Sequence, residues 1–473
     1  MQFFFLNSAV LKCLDSCCGC CSAFRPRYKR LVDNIFPQNP QDGLVRSNME
    51  KLTFYSLSSP EKLDRIGEYL FQKAARDIYR RNQVIIAMEA MDQLLVACHS
   101  QTLNLFVESF LKMVQKLLES VDPQLQILAT QSFVRFANIE EATPSYHRRY
   151  DFFVSKFSAM CHSNHSDKDT RQSIRLAGIQ GLQGVIRKTV ADDLVENIWE
   201  AQHMDKIVPS LLYNMQVCTF YICLEECPPS CPSCPDCPPR VAETCLRELV
   251  GRAGFGHIRS VLGPLLTHFD RHDLWVPTDF AVHVFKIIMF SIQAQYSYSV
   301  VEGLMQHLDG GRGAVRAARA TVLSNIVAIA AGDSVGPSVL EIINNLLTNL
   351  RTSVQKETDE KLYQEALINA LGEFAEHLPD FQKIDIMMFI VSKVPHKASP
   401  ADLMLHSILL KSLLKVGSTY KTTEYSKAFP TAFLDSLLRM SQSADPAARL
   451  MLQRFLHSLL DRHNNVDTLS LCT

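Results

Sequence analysis

Apolar residues recur along most of this chain at spacings of three and four. Phe106, Phe110, Met113 and Leu117 draw one stripe down a helix, and Val339, Ile343, Leu346 and Leu350 draw a second. Leu367, Leu371, Phe374 and Leu378 repeat the pattern, as do Leu405, Leu409, Leu413 and Val416, and then Leu452, Phe455 and Leu459. A period near 3.6 places each set on one side of a helix, where it is expected to face a core and not a cofactor. No run alternates apolar and polar β-branched residues, so a sheet-based fold is not expected. Stop and start signals separate the stripes at Val121-Asp122-Pro123, Gly310 to Gly313, Gly332 to Pro337 and Leu378-Pro379-Asp380. Helices of roughly 15 residues, returning in pairs about every 40 residues, predict an all-α fold of HEAT/armadillo-like α-solenoid type.

Two stretches break the pattern. One is rich in cysteine and proline and contains Cys231-x-x-Cys234-x-x-Cys237 between Cys218 and Pro239. Its prolines oppose helix and hinder the wrapping of ligands around a zinc ion, so it is read as a disordered insertion with no metal. The other is Cys17 to Arg30, where Cys17, Cys18, Cys20 and Cys21 are followed by Arg25, Arg27, Lys29 and Arg30 with no acid among them. An S-acyl chain contributes about 0.8 kcal/mol per buried CH₂, and one chain alone holds only marginally, so stable attachment needs a second chain or a basic patch. This stretch carries both, with the cations set to meet anionic inner-leaflet lipids at about 1 kcal/mol each. Phe24 and Tyr28 alternate with the cations and are expected at headgroup depth. The chain thus divides into an acylated basic anchor (1–30), helical repeats (45–216), the insertion (217–243), further helical repeats (244–461) and a short divergent tail (462–473).

Composition narrows the function classes. The 473 residues are 47% hydrophobic and 21% charged with a formal net charge of -1. That balance is globular and argues against a nucleic-acid binder, which leaves the basic stretch as a local feature. The 15 cysteines cluster at Cys13 to Cys21 and Cys218 to Cys245 instead of spreading through the fold, which fits a reducing setting. Gln2 excludes myristoylation. The apolar run Phe280 to Ile292 is broken by His283 and Lys286 and is read as a buried helix. One enzyme pattern occurs: Gly332-Asp333-Ser334-Val335-Gly336 matches a hydrolase nucleophile elbow, giving a serine lipase or esterase using Ser334 as the alternative reading. That chemistry needs a strand before the serine and a His partner, whereas Ala317 to Ala331 reads as helix. A soluble solenoid adaptor with an unmodified terminus is the other alternative. No catalytic residue and no cofactor are expected.

Longer strings resemble a known family. Arg25 to Pro37 (RPRYKRLVDNIFP), Met49 to Tyr55 (MEKLTFY) and Phe136 to Phe153 (FANIEEATPSYHRRYDFF) closely resemble the Eighty-five Requiring family, called rolling blackout in flies. Gln202 to Leu212, Phe285 to Gln293 and Ile386 to Pro395 extend the likeness. The resemblance implies a palmitoylated peripheral protein of the plasma membrane, built of HEAT and armadillo-like repeats. It also implies a non-catalytic role: bringing phosphatidylinositol 4-kinase type III alpha to its lipid, through tetratricopeptide adaptors, for phosphatidylinositol 4-phosphate synthesis. The family's acylated cysteines fall on Cys17, Cys18, Cys20 and Cys21, and its basic patch on Arg25, Arg27, Lys29 and Arg30. Family members begin closer to the cysteines and continue well beyond Asp461, so the adaptor-contacting tail is expected to be missing here.

Overall fold

The computed structural model describes residues 25–76, 80–98, 104–139, 150–189, 198–217, 237–308, 310–311, 313–331, 337–355, 360–395, 400–421 and 429–460. Within these residues the chain is helical, with short 3₁₀ turns and no strand. It divides into two compact units, Met1–Cys245 and Leu246–Thr473.

The first unit contains α1 (Arg27–Asn34), α2 (Arg46–Ser58), α3 (Leu63–Arg76), α4 (Arg81–Ala97), α5 (Asn104–Leu118), α6 (Pro123–Ala137), α7 (Tyr150–Cys161), α8 (Lys168–Thr189) and α9 (Ala201–Val217). α10 (Pro238–Gly251) runs into the second unit, which continues with α11 (His257–Arg271), α12 (Asp279–Ser291), α13 (Ser297–Gln306), α14 (Gly313–Ala331) and α15 (Pro337–Gln355). It is completed by α16 (Lys361–Glu376), α17 (Asp380–Ser392), α18 (Pro400–Ser418), α19 (Thr431–Ser441) and α20 (Pro446–Leu460).

Most helices pack on a next-but-one neighbour, and many on an adjacent one too. α2, α4, α6 and α8 stack in one layer beside α1, α3 and α5; in the second unit α12, α14, α16, α18 and α20 stack beside α11, α13, α15 and α17. This two-layer register defines an α-solenoid of the HEAT/armadillo type, because every repeat buries its apolar stripe against the repeats on either side. The stripes fill that space: Phe106, Phe110, Met113 and Leu117 on α5, and Leu367, Leu371, Phe374 and Leu378 on and just after α16, are all at most 4% exposed. Leu405 is the exception. Its spacing predicts a core position, but it is half-buried, while Leu409, Leu413 and Val416 of the same stripe are buried.

Local chemistry starts the helices where expected. Asp122 caps α6 by accepting from the Gln124 N–H at 2.9 Å, and Pro123 occupies the first turn, where a missing N–H costs nothing. Pro337 likewise begins α15. The same rule explains α10, which starts at Pro238 inside the stretch drawn as an insertion: prolines that forbid a helix interior are tolerated in its first turn. Cys231 and Cys234 lie outside the described residues, as do Ser334 and the tail from residue 461.

Helix α12 is buried along Phe280, Ala281, Val284, Phe285, Ile287 and Ile288, which agrees with the core reading of that run. Among the described residues one helix, α14, is long and apolar enough to cross a membrane. It is packed by α12, α13 and α16, and it carries buried Arg316 and Arg319 paired with Glu360 and Asp270. Ionised side chains matched to acids on neighbouring elements mark it as a core helix.

Candidate membrane-contact site

Arg27, the first residue of α1, follows Pro26, and the segment coils so that Val32 and the following Ile35 are fully buried. Counting 100° per residue from Val32, Arg27 and Arg30 fall on the far side of the helix, and both are exposed, as is Arg25. Tyr28 and Lys29 flank the buried side and are half-buried. Among the described residues the basic stretch is thus part of a helix packed on α2 and α3.

Four kinds of contact hold α1 on α2 and α3. The Asp33 carboxylate accepts from Lys73 Nζ at 2.7 Å, from the Tyr69 hydroxyl at 3.1 Å and from Arg25 Nη1 at 3.3 Å. The Lys73 ammonium also lies 4.1 Å from the centre of the Phe36 ring. Arg27 sits over the Tyr55 ring at 5.3 Å and Lys29 over the Tyr69 ring at 5.2 Å. Tyr28 meets Tyr69 edge-on at 6.4 Å, so its ring serves the α1–α3 contact instead of projecting to headgroup depth. Two hydrogen bonds close the connection: the Val45 backbone N–H donates to Ile35 O at 3.0 Å, and the Asn48 side-chain Nδ2 donates to Asn34 O at 2.8 Å. Aromatic faces bind these cations without an opposing charge, so Arg27 and Lys29 are positioned without a carboxylate partner at the ring.

Of the predicted residues, the structure brings Arg25, Arg27, Lys29 and Arg30 together on α1 and its N-terminal edge. Cys17, Cys18, Cys20, Cys21 and Phe24 lie outside the described residues. Sequence reasoning missed Phe54, 74% exposed, and Leu57, 41% exposed, on the outward side of α2. A signal was available: apolar residues fall on both sides of α2, with Met49 and Leu52 inside and Phe54 and Leu57 outside. Asp33, Tyr69 and Lys73 were missed too, because their partnership spans 36 and 40 positions.

Comparison with known proteins gives the family context. A family model described as EFR3, armadillo repeat, matches residues 49–473. The chain is 63% identical over 487 residues to protein EFR3 homolog cmp44E of Drosophila melanogaster, covering 98% of this chain and 58% of that protein. It is 53% identical over 493 residues to human protein EFR3 homolog A, covering 95% of this chain and 59% of that protein. The chain therefore spans less than two thirds of the curated relatives it matches. The crystal structure of Efr3 superposes with a TM-score of 0.62 at 14% identity, over 91% of this chain and 77% of that one, which is a likeness of fold.

Proposed function

Since the chain belongs to the EFR3 family of armadillo-repeat, non-enzymatic scaffold proteins, we propose that it anchors a helical-repeat platform to the cytoplasmic face of the plasma membrane. Acyl chains on Cys17, Cys18, Cys20 and Cys21 enter the bilayer, and Arg25, Arg27, Lys29 and Arg30 meet its anionic headgroups. The observation that carries this reading is the docking of α1. Cations held on a helix that is fixed to α2 and α3 orient the repeats against the membrane, which a flexible basic tail would not do.

In this reading, following the Eighty-five Requiring resemblance, the platform brings phosphatidylinositol 4-kinase type III alpha, by way of tetratricopeptide adaptors, to its substrate for phosphatidylinositol 4-phosphate synthesis. Acyl-exchange labelling and membrane fractionation of the chain, beside a variant with serine at positions 17, 18, 20 and 21, test the anchor. The expected result is loss of label together with release to the cytosol. A four-serine variant that stays on membranes overturns the acyl anchor, and a wild-type chain with no label makes it a soluble adaptor.

A further inference from the structure

A second polar feature lies in the other unit, on a groove formed by α15, the end of α17 and α18. Asn344, Thr348 and Arg351 follow one another at i, i+4 and i+7 along α15, one position round from the buried stripe. Lys393 follows the last residue of α17, with its ammonium 4.8 Å from the centre of the Phe389 ring. Leu405 and Leu409 on α18 close the other side, and the half-buried state of Leu405 is what opens the groove. The groove is open to solvent and offers about 70 Å³ to water-sized groups, and among the described residues no acid lines it.

From this arrangement we infer that the groove binds a phosphate monoester carried on a serine or threonine side chain of a partner peptide. The Thr348 hydroxyl already donates to Asn344 O at 2.7 Å, so the available donors are the Asn344 amide, the Arg351 guanidinium and the Lys393 ammonium. Two cations in one groove ask for a dianion; a phosphate monoester carries about -1.5 to -2 at pH 7, while a carboxylate carries half as much. Leu405 and Leu409 supply an apolar wall for the carbon stem of a side chain, which inorganic phosphate lacks and an inositol ring, hydroxylated throughout, would not use.

The test is a phosphorus NMR titration of the full chain with a short peptide carrying one phosphoserine between leucines. Inorganic phosphate, the unphosphorylated peptide and phosphatidylcholine vesicles with or without phosphatidylinositol 4-phosphate run in parallel. Binding by the phosphopeptide is expected to weaken about tenfold in Arg351→Ala and in Lys393→Ala, and by less in Arg351→Lys, which keeps the charge but loses the planar fork. Both positions are exposed, so thermal melting should not move. Equal affinity for the phosphorylated and plain peptides overturns the inference, as does phosphopeptide binding that is indifferent to Arg351. Dependence on Arg351 seen only with the phosphoinositide vesicles would overturn it in favour of a lipid headgroup.

Discussion

Replacing Asp33 with Ala tests whether α1 is held to the repeats by its charge contacts. Asp33 is 27% exposed and Lys73 29%, so their ion pair is partly screened, and each of the Lys73 and Tyr69 contacts is worth about 1 kcal/mol. Arg25 exposes 43% of its side chain and adds little. The sum, about 2 kcal/mol, corresponds to about a 30-fold rise in the equilibrium for local opening of α1. Val32 and Ile35 still favour the docked helix, so the expected outcome is faster opening and not permanent loss. Hydrogen exchange followed by mass spectrometry should show the amides of Arg30 to Ile35 exchanging about 30-fold faster, while α5 to α8 keep their protection. Asp33→Asn should fall between, because it can still accept from Tyr69. Either variant also loses one negative charge beside the cations, which by itself strengthens attraction to anionic vesicles by about 1 kcal/mol. Vesicle binding that strengthens while α1 loosens would separate charge from orientation. Unchanged exchange in α1, or a uniform loss of protection throughout the unit, would refute the reasoning.

Two predictions concern the fold. A Cβ at Gly178 would stand 2.7 Å from Cys161 N and 2.8 Å from Phe157 O, both backbone atoms of α7 that cannot turn aside; Gly178→Ala should therefore destabilise by about 1–3 kcal/mol despite the better helix propensity of Ala, and an unchanged or raised melting temperature would refute the close contact. Burial pulls the Asp270 carboxyl upward, but the Trp275 N–H, His307 and Arg319 outweigh it and hold the group below its usual value of 3.8. A carboxyl depressed in the folded state contributes stability that is present above its unfolded pKa and is lost as pH falls through the folded one. The wild type should thus lose stability below about pH 4 with a component that Asp270→Asn lacks, and identical acid limbs in denaturation curves of the two proteins would refute the assignment.

The sequence by itself determined the all-α class, the apolar stripes and many of the helix starts, because a 3.6-residue period and a capping Asp or first-turn Pro act over a few neighbouring positions. It also located the cations of the proposed membrane-contact site. Only the tertiary structure decided what those cations are attached to: Asp33 reaches Tyr69 and Lys73 across 36 and 40 positions, and contacts of that span leave no local mark. The same holds for Arg316 and Arg319. Both are buried on α14, because Glu360 lies 44 positions onward and Asp270 49 positions back. Leu405 shows the converse. Its spacing is that of a core residue, but it lines the groove beside α15 and stays half-buried, and whether a side chain at a given period is covered depends on the elements that arrive from elsewhere in the chain.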